Sequence, residues 1–220
     1  VARYSIAPEQ ARVSEAILAG EGVTLPRAAE SPCATRLMVE CGCDAIREVP
    51  LGRWCADALP AVAELAGRRA RHGGFAEGTA LFDNGFFSVS PAEAMAMAPQ
   101  QRVVLEHGYT ALHVAGLDKN LLEGGDTGVF VGVQALEFPE LLAAMPAGGS
   151  VYSATGSAHA IACGRVSFAL GMQGPCASYD TACSSGLVAC HAAYAALVAG
   201  ECASSLVAGV NVVLLPAPGA

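Results

Sequence analysis

The sequence predicts an α/β fold, in which helices alternate with strands that are covered on both faces. Two uncharged apolar runs, TGVFVGV (residues 127–133) and residues 204–215, have the composition of such buried strands. Residues with helical spacing precede the first run and stand between the two, and this alternation favours a layered α/β architecture. Between residues 141 and 220 the only charged side chains are Arg165, Asp180 and Glu201. Because so few charges cannot cover a free surface of that length, most of this stretch is expected to be buried.

The composition excludes several classes of function. With 220 residues, 53% of them hydrophobic and 15% charged, the chain is long and apolar enough for one or two globular domains. Its formal net charge of −8 argues against a nucleic-acid partner, which would need a basic surface. No N-terminal signal pattern is visible, and we expect a cytoplasmic protein.

The cysteines do not predict a disulfide framework or a metal centre. There are nine of them, an odd number without paired spacing. Cys33, Cys41 and Cys43 stand close together, but no second pair of ligands follows at the spacing of a zinc site. We therefore interpret most of the cysteines as reduced core residues and predict no metal site.

In the first 115 residues, proline and capping residues predict where helices begin and end. Residues 8–19 have the spacing of a helix. Ser90 is a suitable N-cap with Pro91 at the first helical position. Pro99 must interrupt that helix, so a short helix and then a longer one over residues 100–115 are predicted.

The second half of the chain predicts a regular alternation of elements. Residues 181–200 are uncharged and have the length of a membrane span, but their serines, glycine and histidine favour a buried helix of a globular protein. The predicted elements are a strand at 127–133, a helix at 152–170 closed by GMQGP, an extended segment at 176–181, a helix at 183–198 closed by Gly200, and a strand at 204–215.

Cys183 is the candidate nucleophile of this chain. A thiol in the first turn of a helix meets the positive end of the helix dipole and free backbone amides, which favour the thiolate. The residues that follow, Ser184, Ser185 and Gly186, are small and leave the sulfur open to a substrate. Backbone amides at such a turn also suit the oxyanion of an attacked thioester. A small buried hydrophobic side chain is the alternative interpretation of a lone cysteine.

The segment DTACSSGLVACHAA around Cys183 resembles the active-site segment of the β-ketoacyl synthases, the ketosynthase domains of type I modular polyketide synthases and related fatty-acid enzymes. Other segments resemble the same family in the same order, and the resemblance covers about residues 43–216. We therefore divide the chain into a divergent N-terminal segment, residues 1–42, and a ketosynthase domain, residues 43–220. These segments are CDAIREVPLGRWCADA, RHGGFAEGTALFDNGFFSVSPAEAMAMAPQQRVVLEHGYTALHVAGL, TGVFVGV and YSATGSAHAIACGRVSFALGMQGP.

The resemblance implies a thiolase-like fold, layered αβαβα, of which this chain is the N-terminal half of the duplicated core. Cys183 would cap a buried central helix and accept an acyl chain from the phosphopantetheine thioester of an acyl carrier protein. Decarboxylative Claisen condensation with a malonyl-type extender would follow, without a bound cofactor or metal. The implied partners are the carrier protein, a second copy in a homodimer whose contact lies around residues 176–181, and the remaining half of the ketosynthase domain; no nucleic acid and no membrane is expected.

The chain also departs from the family. Two histidines, in HGTGT-like and GxNxH-like segments downstream of the cysteine, assist condensation in this family, and neither segment stands in these residues. His191 follows Cys183 by eight residues, ~12 Å along a helix, which is too far for a general base; it is interpreted as a core or interface histidine. We therefore expect the isolated chain to be incomplete. The alternative is a truncated or degenerate, non-condensing ketosynthase-like module with a binding or dimerising role.

Basic side chains allow two further expectations. Arg53, Arg68, Arg69 and Arg71 could form a dock for an acidic carrier protein, with an ordinary solvated stretch as the alternative. Arg102, in the segment PQQR, is predicted to be structural rather than to contact substrate.

Overall fold

The computed structural model describes residues 2–5, 16–26, 29–54, 71–134 and 137–216. The chain divides into two units. The sheet unit comprises residues 1–22 and 79–211, and the small unit comprises residues 23–78 and 212–220.

A five-stranded sheet with the order β2-β1-β7-β5-β6 forms the centre of the sheet unit. β5, β6 and β7 are parallel to one another, whereas β1 pairs antiparallel with both β2 and β7. Every residue of β5 is buried, as its apolar sequence predicts, and β6 is at one edge. The strands are β1 (Ala2–Ser5), β2 (Ile17–Glu21), β5 (Thr127–Val133), β6 (Cys176–Tyr179) and β7 (Ser204–Val210).

The helices of this unit begin at capping residues and prolines. Ser90 Oγ accepts a hydrogen bond from the Glu93 amide at 3.2 Å, so the predicted N-cap is confirmed. Pro99 begins the next helix, as predicted. The helices are α2 (Pro91–Ala96), α3 (Pro99–Val114), α4 (Lys119–Leu122), α5 (Phe138–Ala143), α6 (Ser153–Ser157), α7 (Ile161–Leu170) and α8 (Ser185–Ala199), with 3₁₀ turns at Pro146–Gly149 and Ala182–Ser184.

The side chains of the parallel strands alternate between two apolar clusters. On one face, Val129 and Val131 of β5 and Leu206 of β7 pack with residues of α3 and α7. On the other face, Phe130 and Val207 pack with α8. Because successive side chains of a strand point to opposite faces, α8 covers the face opposite to α3 and α7.

Two predicted helices are wrong in part. Of residues 8–19, those from 8 to 15 lie outside the described residues, and Ile17–Glu21 is a strand because it pairs with β1. The helix predicted at 152–170 is broken between α6 and α7. Gln101 Nε2 donates to the carbonyls of Thr155 and Ala158, each at 3.2 Å, so a neighbouring helix uses acceptors that a continuous helix would need.

The end of the chain follows the prediction with smaller differences. The last strand stops at Val210, before the predicted 215, and α8 begins at Ser185 after a separate 3₁₀ turn. Among the described residues, Ala182–Ala199 is the one helical stretch long and apolar enough to cross a membrane. One side of α8 is buried against the sheet, as in the core helix of a globular protein, and its other side is exposed.

The small unit contains α1 (Pro32–Glu40) and the strand pair β3 (Arg47–Glu48) and β4 (His72–Gly73). Arg47 pairs with Glu77 at 2.9 Å. Arg53 Nη1 donates to the Val213 carbonyl at 3.2 Å, and burial lowers its pKa. Arg68 and Arg69 of the expected carrier dock lie outside the described residues, so that dock stays a prediction.

Candidate active site

Cys183 lies exposed in the 3₁₀ turn that joins β6 to α8. β6 ends at Tyr179, which pairs with Gly132 near the end of β5. The turn therefore leaves the carboxyl edge of the parallel strands, where ligands of open α/β sheets bind. The helix predicted to begin at Cys183 begins two residues later, so the cysteine precedes α8 instead of occupying its first turn.

The residue before the cysteine has an unusual backbone conformation. Ala182 has φ 55°, in the left-handed region that residues other than glycine rarely adopt. Asp180 Oδ1 accepts a hydrogen bond from the Ala182 amide at 3.1 Å. Such a conformation costs free energy and persists only where the surroundings hold it, which is a common property of functional sites.

Two serines after the cysteine hold this turn in place. Ser185 Oγ accepts from the Thr181 amide at 2.8 Å and donates to the Ala182 carbonyl at 2.7 Å. Ser185 is buried, whereas Ser184 is exposed and donates to the Thr181 carbonyl at 2.8 Å. The hydroxyl of Ser185 thus connects both sides of the strained residue.

Glycines allow the start of α8 to approach the sheet closely. A Cβ built on Gly132 would lie 2.5 Å from the carbonyl carbon of Ser185 and 2.6 Å from the Gly186 amide nitrogen. A Cβ on Gly186 would meet only the Gly209 Cα, at 3.8 Å. Gly132 of β5 is therefore required for the position of the turn, whereas Gly186 has room for a small side chain.

The turn and the helix that follows it contain one charged residue, Asp180. α8 carries no charged side chain, and no acidic residue lies in its first turn. The positive end of its dipole therefore has no acidic side chain of that turn to offset it. Asp180, on the preceding segment, is the nearest acidic residue in the sequence, and it accepts a backbone hydrogen bond within the turn.

Residues 16–220 match the family model of the β-ketoacyl synthase N-terminal domain. The chain belongs to the β-ketoacyl synthase family. The resemblance seen in the sequence is thereby confirmed.

The relatives of this ketosynthase chain are modular polyketide synthases. It is 40% identical over 222 aligned positions to one component of the phenolphthiocerol/phthiocerol polyketide synthase of Mycobacterium tuberculosis, an alignment that covers 97% of this chain and 14% of that protein. It is 42% identical over 178 positions to erythronolide synthase EryA3 of Saccharopolyspora erythraea, covering 80% of this chain and 6% of that protein. The chain thus spans a small part of the length of these relatives.

Solved ketosynthases have the same architecture. A ketosynthase from module 6 of the bacillaene synthase of Bacillus subtilis superposes with a TM-score of 0.79 at 28% identity, covering 97% of this chain and 33% of that one. An oxazolomycin ketosynthase domain from Streptomyces albus has a TM-score of 0.77 at 31% identity, covering 90% and 34%. The predicted thiolase-like, layered α/β fold is confirmed.

The histidines of this ketosynthase chain lie on different elements of the fold. His191 is exposed on α8, so it does not lie in the core formed by the described residues, and its interpretation as an interface histidine stays a prediction. His159 lies between α6 and α7, and its Nε2 contacts the Val133 carbonyl at the end of β5. His107 and His113 belong to α3, and His72 belongs to the small unit.

A partly buried ion pair that the sequence did not indicate braces α7 against α2 and α3. The side chain of Arg165 is 9% exposed; it pairs with Glu93 and donates through Nε to Gln101 Oε1 at 2.9 Å. Arg102, which was expected to be structural, is half-buried; burial lowers its pKa and Glu106, one turn on, raises it. A charged residue inside an apolar helix was the available signal for Arg165, because a buried charge needs a partner.

Proposed function

We propose that Cys183 is the nucleophile of a polyketide-type ketosynthase. The observation that carries this proposal is the exposed cysteine on a strained, hydrogen-bonded turn at the carboxyl edge of the parallel strands, at the start of an uncharged helix. Membership of the β-ketoacyl synthase family supports the same role.

The first half-reaction transfers an acyl chain to Cys183. The thiolate attacks the carbonyl carbon of an acyl thioester carried on the phosphopantetheine arm of an acyl carrier protein, and the resulting oxyanion is stabilised by backbone amides of the turn. Collapse breaks the carbon–sulfur bond to the carrier. The carrier thiolate takes up a proton, and the acyl chain remains on Cys183 as a thioester.

The second half-reaction forms a carbon–carbon bond. A malonyl-type extender, also on a carrier protein, loses carbon dioxide and becomes a carbanion, which attacks the acyl carbonyl on Cys183. The β-ketoacyl product stays on the carrier, and the Cys183 thiolate leaves. In this family two histidines assist the step from segments that these residues do not contain, so condensation requires them from outside the 220 residues.

Three partners belong to the proposal: an acyl carrier protein, a second copy of the chain, and the remaining half of the ketosynthase domain. The edge position of β6 supports a dimer, because its outer backbone groups are available for pairing with a second copy. The outward side of α8 supports contact with the remaining half of the ketosynthase domain. Its exposed apolar side chains include Leu187, Tyr194 and Val198, which the remaining half would cover to make α8 a central layer.

The test is acyl loading of the full-length protein, expressed from its complete reading frame. The protein is incubated with an acyl carrier protein that bears a labelled acyl thioester, and the acylated peptide is located by mass spectrometry. We expect loading on Cys183 and none in the Cys183→Ala variant. Cys190→Ala, seven residues further along the chain, is the matched control and should load normally. Unchanged loading in the Cys183→Ala variant would exclude the proposal.

A binding or dimerising role without condensation is the alternative. The exposed apolar side of α8 favours it, because such a surface binds protein. It predicts a protein that assembles with its partners but forms no β-ketoacyl product from acyl and malonyl carrier proteins. Product formation that depends on Cys183 would exclude this alternative.

A further inference from the structure

The carboxyl end of β5 has a backbone carbonyl that the pairing with β6 does not reach. The Val129 amide donates at 2.8 Å to the carbonyl of Pro175, the residue directly before β6. Because the backbone groups of alternate residues in a strand point to the same neighbour, the carbonyl of Val133 also faces the β6 side. The pairing of β5 with β6 ends one residue earlier, at Gly132. The Val133 carbonyl therefore faces the segment that leaves β6 for the Cys183 turn.

The register of the two strands identifies the donor that this carbonyl would otherwise have. Val129 stands opposite Cys176, so a continued parallel ladder would place the amide of Thr181 on the Val133 carbonyl. The Thr181 amide instead donates to Ser185 Oγ at 2.8 Å. The hydrogen bond that holds the turn thus takes the ladder donor away from Val133, and a carbonyl left without a donor would cost free energy.

His159 supplies a donor to this carbonyl. Its half-buried side chain lies between α6 and α7, and its Nε2 is hydrogen-bonded to the Val133 carbonyl oxygen. A carbonyl oxygen can only accept, so Nε2 carries the proton, as it can in both the neutral and the cationic ring. His159 therefore takes the place of the Thr181 amide at the point where the chain turns away from β5.

The segment that carries His159 is fixed by α3. Gln101 is 4% exposed, and its Nε2 donates to the carbonyls of Thr155 and Ala158, the second of which directly precedes His159. Gln101 Oε1 accepts from Arg165 Nε at 2.9 Å, so both polar atoms of this amide are used. A side chain supported by packed partners in this way can hold a functional group to within about 0.5 Å of its working position.

We propose that His159 is a positioning residue for Cys183. By donating to the Val133 carbonyl, it leaves the Thr181 amide to Ser185 and so keeps the turn in the form that presents the thiol. Without that donor, the Val133 carbonyl would compete for the Thr181 amide, and the turn would shift toward a longer β6. The inference rests on the proposed function of Cys183, and it assigns His159 no contact with substrate.

The test compares two side chains of similar length at residue 159 of the full-length protein. His159→Met has no donor, whereas His159→Gln can donate through its amide nitrogen. Acyl loading from a labelled acyl carrier protein is measured as the rate constant at saturating carrier and as the carrier concentration that gives half of that rate. We expect His159→Met to lower the rate constant about 10- to 100-fold and to change the half-saturating concentration less than about twofold. His159→Gln should restore most of the rate.

Two further variants serve as controls. His113→Met, at an exposed residue in the last turn of α3, should load at the unmodified rate. Loading by Cys183→Ala would exclude both the proposed function and this inference, whereas no loading by Cys183→Ala together with normal loading by His159→Met would overturn only the role of His159. Loading by His159→Gln as slow as that by His159→Met would also overturn it, because the imidazole ring and not a hydrogen-bond donor would then be required.

A measurement on the unmutated protein covers a His159→Met variant that does not fold. Cys183 is alkylated with iodoacetamide, and hydrogen exchange is followed by mass spectrometry before and after the treatment. Because coupling between two sites is reciprocal, alkylation should change the exchange of residues 157–162. The same treatment of Cys183→Ala accounts for the other thiols. If residues 157–162 exchanged equally before and after alkylation of Cys183, the positioning role would be excluded.

Discussion

The helices that cover the two faces of the five-stranded sheet differ in the polarity of their outward sides. On one face, α3 buries Val104, Leu105 and Leu112 and turns mostly polar side chains outward. On the other face, α8 buries alanines and Leu197 against the sheet, but Leu187 and other apolar residues remain exposed on its outward side.

This difference indicates which helix is an outer layer and which is an inner one. A helix with one apolar side completes a layer, whereas a helix that is apolar on all sides needs a second neighbour. Within the part of the chain that the structure describes, α8 has the sheet on one side only. The candidate nucleophile directly precedes this helix, so under the proposal that the remaining half covers α8, contacts from both sides would hold it.

The largest expected effect concerns the α3 and α7 face. Arg165→Met leaves the Glu93 carboxylate, which is 25% exposed, without its partner, and we expect a loss of about 3–4 kcal/mol in the free energy of unfolding. Urea denaturation measures it. The exposed pair Arg36 and Glu40 of the small unit is the control, because Arg36→Met should cost about 0.5 kcal/mol or less. Equal effects at the two pairs would contradict the structural role of Arg165.

The next effect concerns the α8 face at the turn itself. Gly132→Ala forces a methyl group against the backbone of Ser185, so we expect a loss of about 3 kcal/mol in stability together with loss of acyl loading. Gly186→Ala is the matched variant: its methyl group has room, and stability should change by about 1 kcal/mol or less. If Gly132→Ala loaded as well as Gly186→Ala did, the close approach would not position the turn.

A smaller effect tests whether α8 is an inner layer. In the full-length protein, Leu187→Ala should cost about 2 kcal/mol, because a covered leucine loses its packing. Leu121→Ala, on the exposed side of α4, should cost about 0.5 kcal/mol or less. Thermal and urea unfolding of both variants provides the comparison. Equally small losses would mean that the outward side of α8 stays in water.

The smallest effect distinguishes the two serines of the turn. Ser185→Ala removes a buried hydroxyl and leaves the Thr181 amide without its partner, which should cost about 1–2 kcal/mol and slow acyl loading. Ser184→Ala removes an exposed hydroxyl and should cost less. The rate of loading, measured beside stability, checks whether Ser185 positions the cysteine; the reverse order of the two variants would assign that role to Ser184.

Much of the fold could be predicted because its signals are local. The apolar run of β5, the cap at Ser90, the interruption at Pro99 and the glycine after α8 each act within a few residues, and the structure has them as predicted. The break between α6 and α7 could not be predicted, because its cause is a side chain of α3, Gln101, that takes carbonyl acceptors more than fifty residues away. The strand at Ile17–Glu21 was missed for a similar reason, since pairing with β1 decides it.

The sequence by itself determined the strands β5, β6 and β7, the helix α8, the family resemblance and the choice of Cys183 as the candidate residue. Only the tertiary structure decided how that residue is held: the strained Ala182, the two hydrogen bonds of Ser185 and the approach permitted by Gly132. Periodicity and capping are properties of neighbours along the chain, and so a sequence displays them. The position of a turn against a sheet depends on atoms that are distant in the chain, and these come together only when the layers pack.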